Sequence, residues 1–344
     1  MRTYISTLVF HSTSVSASAR IQNELNRLTK EVSTGRMADV GLSLGTQTGR
    51  SMRLHIDTDA LTAFTNSNAM VSARLSQTDN ALSALASDAT SFSQALISGR
   101  NAGTARATLV TAANDALGSF ASRLNTADGG DYIFGGINSG TAPIADFDSG
   151  PKAAIVAAFT AKFGFAPTDP AAAGLDAASM NDFLDNEFAD LFNDANWSST
   201  WSSASDQVMQ SRISPGETVT SSVSANESAF RQLAMGYAMM SVFGSGSLGD
   251  GATDAVIDKA ITTIGNGQAA LTAVQAAMGS TENRIAGANT RLATQKDILA
   301  TQIDNLEGVD PAVAKTKIDT LSTQLEMSYS LTAKLIQLSL VNYV

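Results

Sequence analysis

The sequence predicts a mainly α protein: a long antiparallel coiled-coil or helix-bundle rod formed by the N- and C-terminal segments, with a smaller α+β outer domain inserted between them. Two observations carry this. Apolar residues recur in steps of three and four over long stretches near both ends, which is the signature of helices that pack along a seam. Each end also reads as a terminal helix, a glycine-containing joint and a long helix, in opposite order along the chain. Folded back on itself, such a chain lays terminal helix on terminal helix and long helix on long helix.

The first helix carries Ile21, Leu25, Leu28 and Val32, and stops at "STGRMADVGLSLGTQTGR", where Gly35, Gly41, Gly45 and Gly49 punctuate the pattern. The longest stripe follows, through Leu61, Phe64, Asn68, Val71, Leu75, Thr78, Leu82, Leu85, Ala89, Phe92 and Leu96, with Asn68 and Thr78 as its polar breaks. It resumes at Leu109, Ala113, Leu117, Phe120 and Leu124, so one or two helices cover this region. Near the other end Ile285, Leu292, Leu299 and Leu306 repeat every seven residues, with Ile303 between. In "LEGVDPAVAK" Gly308 can end that helix, Asp310 can cap the next and Pro311 suits its first turn. The last helix then carries Ile318, Leu321, Leu325, Leu331, Leu335 and Leu338 towards the terminus.

The middle has a different texture. "DGGDYIFGGINSG" sets Tyr132, Ile133 and Phe134 between glycines, which suits a short strand among turns. Residues 142–205 mix short helices with loops and hold both tryptophans, Trp197 and Trp201. "VMQSRISPGETVTSSVSA" predicts a hairpin turning at Pro215-Gly216. Domain borders are expected at 1–45 plus 308–344 for the terminal helices, 46–135 plus 208–307 for the long helices and hairpin, and 136–207 for the insert.

Charged residues make up only 16% of the chain, well under the usual quarter, and net charge is −10. A surface with few charges repels neighbours weakly, which suits packing against other subunits. The acid is concentrated: residues 126–215 hold three Lys and Arg against twelve Asp and Glu, while residues 1–125 hold eleven against eight. No basic stripe with interleaved aromatics is present, so nucleic acid is not an expected partner. With no cysteine, disulfides and thiolate metal sites are excluded. No apolar run reaches the length of a membrane span, and stable insertion is not expected. The start, "MRTYISTLVFHSTSVSASAR", has too short an apolar patch for a cleaved signal peptide.

Signals for catalysis are weak. His11 and His55 stand alone, without a second His or a carboxylate at ligand spacing. "GSGSLG" (244–249) matches G-x-G-x-x-G in form, but the preceding segment reads as helix where a dinucleotide site needs a strand. It is expected to be a helix–helix connection. "ADFDSG" (145–150) lacks the glutamate that would complete a calcium loop. The tryptophan pair is expected to be a small core. No catalytic residue, cofactor or metal is assigned.

The candidate functional residues are instead an interface. Beyond Leu331, Leu335 and Leu338, the last helix carries Ile336, Leu340, Val341, Tyr343 and Val344 on other faces. One partner helix does not cover a helix that is apolar around most of its circumference. The set assigned to assembly is Ile5, Leu8, Ile21, Leu25, Leu28 and Val32 at one end, and Leu321, Leu325, Leu331, Leu335, Ile336, Leu338, Leu340 and Val341 at the other.

Four segments resemble the flagellin superfamily: "LNRLTKEVSTGRMADVG", "DGGDYIFGGINSGTAP", "RISPGETVTSSVSANESAFRQL" and "DNLEGVDPAVAKTKIDTLSTQLEMSYSLTAKLIQLSLVNYV". The joint "STGRMADVGLSLGTQTG" and the ending "SLVNYV" look more like the alphaproteobacterial hook–filament junction type within that superfamily than like flagellin proper. The resemblance implies a structural, non-enzymatic protein. It implies export through the flagellar type III apparatus with an uncleaved N-terminal signal, and assembly outside the cell between hook and filament. It also implies partners: its own copies in a ring-like homo-oligomer, a hook-side hook-associated protein, flagellin, and a cytoplasmic chaperone before export. A divergent flagellin is the nearest alternative, and a membrane-acting amphipathic helical protein or a nucleotide-binding enzyme are the alternatives from other classes.

Overall fold

The computed structural model describes the backbone of residues 7–102, 106–244 and 246–341, and the side chains of 12–100, 106–244 and 246–334. Ten α-helices and two small hairpins lie within these residues. Packing groups the chain into two compact units, 1–63 with 292–344 and 64–291, where the sequence suggested three segments. The helix after the first joint starts in the first unit and continues into the second, and the helix before the last joint runs the other way.

In the first unit, α1 (Thr7–Thr34) ends where Gly35 takes φ 70° and its N–H closes on Glu31 O at 2.8 Å. Glycine adopts that left-handed backbone without the Cβ clash other residues meet. The chain does not stay irregular afterwards: α2 (Val40–Leu44) is a single turn, with Asp39 accepting from Leu42 N at 2.9 Å as its cap. Gly45, φ 53°, ends it, and α3 (Thr48–Ala102) begins. Gly41 and Gly49, expected to interrupt helices, lie inside α2 and α3. At the other end α9 (Asp250–Glu307) stops before Gly308, and α10 (Pro311–Val341) opens on Asp310, whose Oδ1 accepts from Ala312 N at 2.8 Å.

The second unit holds α4 (Arg106–Leu124), the two-residue strands β1 (Ala127–Asp128) and β2 (Asp131–Tyr132), α5 (Pro151–Phe163), α6 (Ala177–Phe183), α7 (Asp194–Thr200), the hairpin β3 (Gln210–Ser214) and β4 (Glu217–Thr220), and α8 (Ser228–Phe243). The predicted stripe on α3 is the buried one: Leu75, Leu82, Leu85, Ala89, Phe92 and Leu96 are nearly inaccessible. Here α3 runs antiparallel to α9, as side-chain bonds Ser83–Gln275 and Thr90–Gln268 show by stepping in opposite directions. Largely buried α8, with twelve of its sixteen residues inaccessible, fills the middle and touches α4 and α5. Gly236 of α8 sits where a Cβ would come within 2.6 Å of Ile264 on α9, so the missing side chain sets how closely these helices approach.

Residues 136–207 share one aromatic core with α8: Phe243 lies against Phe159, Phe183 and Phe188, at ring-centroid distances of 5.5 to 5.8 Å. Trp197 and Trp201 stack at 5.2 Å and 12°, both buried, in a core role. The root of this region is tied by Asn125, which donates to Ile144 O and accepts from Ile144 N, each at 2.9 Å. "GSGSLG" connects α8 to α9, both helices, as the sequence reading expected.

Candidate assembly interface

In the first unit α1 and α10 pack antiparallel, joined between residues 14–22 and 328–332 by polar pairs. Ser14 meets Thr332 at 3.0 Å, Ser18 meets Ser328 at 3.1 Å, and Gln22 Nε2 donates to Tyr329 OH at 2.6 Å. Small hydroxyl side chains let the helices approach closely while satisfying one another. The apolar seam is thin. Among the described side chains of these two helices, Leu28, Glu31 and Ala314 are the buried ones.

The candidate residues divide accordingly. Leu28 is 2% exposed and lines a groove with Glu24, Val313, Thr316, Lys317, Thr320 and Leu321. Ile21, Leu25, Val32, Leu321 and Leu325 are half-buried between the two helices and solvent. Leu331 is 54% exposed, and it is joined on the surface by Val15, Val313, Met327 and Tyr329, each about half exposed or more. Ile5 lies outside the described residues; Leu8, Leu335, Ile336, Leu338, Leu340 and Val341 are helical, with side chains outside the described ones.

Sequence reasoning missed the polar centre of this unit. The two joints bond to each other: Met37 N–H donates to Glu307 O at 2.8 Å and Val309 N–H to Gly35 O at 3.0 Å. Glu307, 3% exposed, closes α9. Its carboxylate accepts from Ser51 Oγ at 2.5 Å and from His55 Nε2 at 2.8 Å, and pairs with Arg36 at 2.7 Å. So His55, which stands alone in sequence, meets its carboxylate across 252 residues of chain. Burial pushes the Glu307 carboxyl up, but the hydrogen bonds from Ser51 and His55 and the charge of Arg36 outweigh it and hold the group below its ordinary value. A second carboxylate, Glu31, pairs with Arg27 at 2.6 Å and accepts from Ala38 N at 3.2 Å. Both acids sit in the last turn of a helix, where the backbone dipole disfavours negative charge. An acid placed against the dipole, immediately before a glycine stop, was the signal available in sequence.

Ser51, His55 and Glu307 share residue types with hydrolytic triads but not their order. A nucleophilic serine needs the histidine as its base. Here Ser51 and His55 both donate to the same carboxylate oxygen, so the hydroxyl proton points at Glu307. The cluster is a structural clamp. Among the described residues no group of three or more His, Cys, Asp or Glu is placed to hold a metal, and no helix is long and apolar enough to cross a membrane.

Comparison with known proteins bears on the same segments. The solved structure of a protein described as a flagellar hook-associated protein from Vibrio parahaemolyticus is similar in fold, at 13% identity and a TM-score of 0.52, over 76% of this chain and 97% of that one. FlgL from Bacillus cereus aligns at 13% identity and a TM-score of 0.49, over 73% of this chain and 99% of that one. A search of curated proteins finds no match. The bacterial flagellin N-terminal helical region matches residues 5–139 and the bacterial flagellin C-terminal helical region matches residues 255–344, together about two thirds of the chain. With both paired ends, all of α3 and nearly all of α9 inside those matches, the chain belongs to the bacterial flagellin family of structural flagellar proteins.

Proposed function

We propose that this protein joins the hook-side junction protein to the flagellin filament, the role of hook-associated protein 3, in a flagellum of alphaproteobacterial type. The observation that carries the reading is the half-covered terminal pair. Val15, Val313, Met327, Tyr329 and Leu331 stay exposed on two helices that already pack on each other. Fully burying a large apolar side chain is worth about 1.5–3 kcal/mol, and each of these has about half of that left to gain, so five of them together still favour association. The surfaces that cover them are the terminal helices of neighbouring copies in a ring, of the hook-associated protein on the hook side and of flagellin on the other. Before export a cytoplasmic chaperone shields the C-terminal helix, and export leaves the N-terminus uncleaved. Similarity of fold to the Vibrio parahaemolyticus protein supports a hook-associated role.

A divergent flagellin is the second reading, favoured because the matched regions are those of flagellin. Immunogold labelling of detached flagella separates the two. Label confined to the proximal end of the filament supports the junction role; label along the whole length overturns it in favour of the filament. Deleting residues 335–344 is expected to leave residues 64–291 folded and to abolish incorporation. A truncated protein that still supported motility would remove the tail from the assembly set.

A further inference from the structure

The polar cluster at the joints has a role that the assembly surface does not account for. The α1–α10 pair is weakly packed by itself, with Leu28, Glu31 and Ala314 its buried side chains among those described. Its connection to the rest of the first unit is concentrated at one place, where Glu307 uses both its carbonyl and its carboxylate. The carbonyl takes the Met37 N–H, and the carboxylate gathers Arg36 from the joint and Ser51 and His55 from α3. The first joint and the start of α3 therefore meet the end of α9, 252 residues or more further along the chain, on one residue. Its charge is opposed by burial and by the helix end, and stays ionised only because three donors surround it.

We propose that Glu307 is a releasable latch: ionised, it holds the α1–α10 pair ordered against the joints, and neutralised, it frees that pair while residues 64–291 stay folded. The groups facing it are Arg36 on the joint and Ser51 and His55 on α3. On α1 the nearby acid is Glu31, occupied by Arg27 and by the Ala38 N–H; on α9 Asp304 lies one turn earlier and is exposed. A glutamine at 307 keeps the shape and one acceptor, but it turns an amide N–H towards donors and loses the attraction of Arg36. Neutralisation should therefore loosen all three segments together.

Hydrogen exchange with mass spectrometry on the full chain tests this, with rates corrected for the chemical exchange rate at each pH. In Glu307→Gln at pH 7, exchange in residues 12–34 and 311–334 should accelerate about tenfold or more, with residues 64–291 unchanged. Wild type should reach the same pattern only on acidification below the ordinary glutamate range, and the variant should show no further acid step. Glu31→Gln should keep the wild-type acid step. The proposal is overturned if Glu307→Gln keeps wild-type protection at pH 7, if both units lose protection together, or if wild type and variant share one pH profile.

Discussion

Asn68 on α3 donates its side-chain amide to Asn289 Oδ1 on α9 at 2.7 Å and to the backbone carbonyl of Ile213 on β3 at 3.0 Å. One buried residue thus fixes the register of two long helices and seats the hairpin upon them. Replacing a donor that faces two acceptors by an acceptor makes a sharp test. Asn68→Asp should destabilise the second unit by about 2–4 kcal/mol near neutral pH, because a carboxylate there meets two oxygens. The loss should shrink in acid, where the protonated group donates again, and thermal melts across pH would reveal it. Equal destabilisation at every pH would remove the donor role.

Ser51 contributes one of the bonds that depress the Glu307 carboxyl. A depressed carboxyl adds stability that is present above its unfolded value and is lost as pH falls through its folded value. Ser51→Ala withdraws a donor, so the folded value rises towards the ordinary one. The acid transition of the first unit should move to higher pH, and stability at pH 7 should fall by about 1.5–3 kcal/mol, as for a buried bond to a charged group. Circular dichroism during acid titration reads both. A transition moving to lower pH would contradict the assignment.

Leu28 is the buried large apolar side chain of the α1–α10 seam among those described. Leu28→Ala is expected to cost about 2–5 kcal/mol, the range for emptying a packed leucine site. The loss should fall on residues of the first unit alone. Exchange protection that dropped equally in residues 64–291 would show that the seam is not independent.

Tyr329 and Leu331 are 50% and 54% exposed. Leu331→Ser should change the melting of the isolated chain little, within about 0.5 kcal/mol as for a surface position. Tyr329→Ser should cost about 0.5–1.5 kcal/mol more for the lost bond from Gln22. Incorporation into flagella should fall sharply, because the lost area is area that other copies would cover. Normal motility with both substitutions would displace these residues from the interface.

Much of the fold was legible because helices with a repeating apolar face announce themselves over many turns. The α3 stripe, the break at Gly308, the Asp310 cap and the Pro215-Gly216 turn are all local patterns, and each forms at the place its residues indicate. The polar breaks were legible as breaks, but Asn68 did not reveal its partners, since those lie 145 and 221 residues away. Glu307 was invisible for the same reason: Arg36, Ser51 and His55 come to it through the chain reversal, which no spacing records. The extent of the aromatic core was missed because Phe243 and Phe159 sit on segments whose composition differs, and composition was the basis for drawing a border between them.

Both tryptophans of the chain are the stacked pair Trp197 and Trp201, and both lie in residues 64–291. Their emission is therefore a built-in dye for one unit and blind to the other. Far-ultraviolet circular dichroism, by contrast, sums the helices of both. In a melt or titration the part of the ellipticity change that leaves tryptophan emission untouched reports the first unit, so the unmodified protein separates its own two transitions without a label.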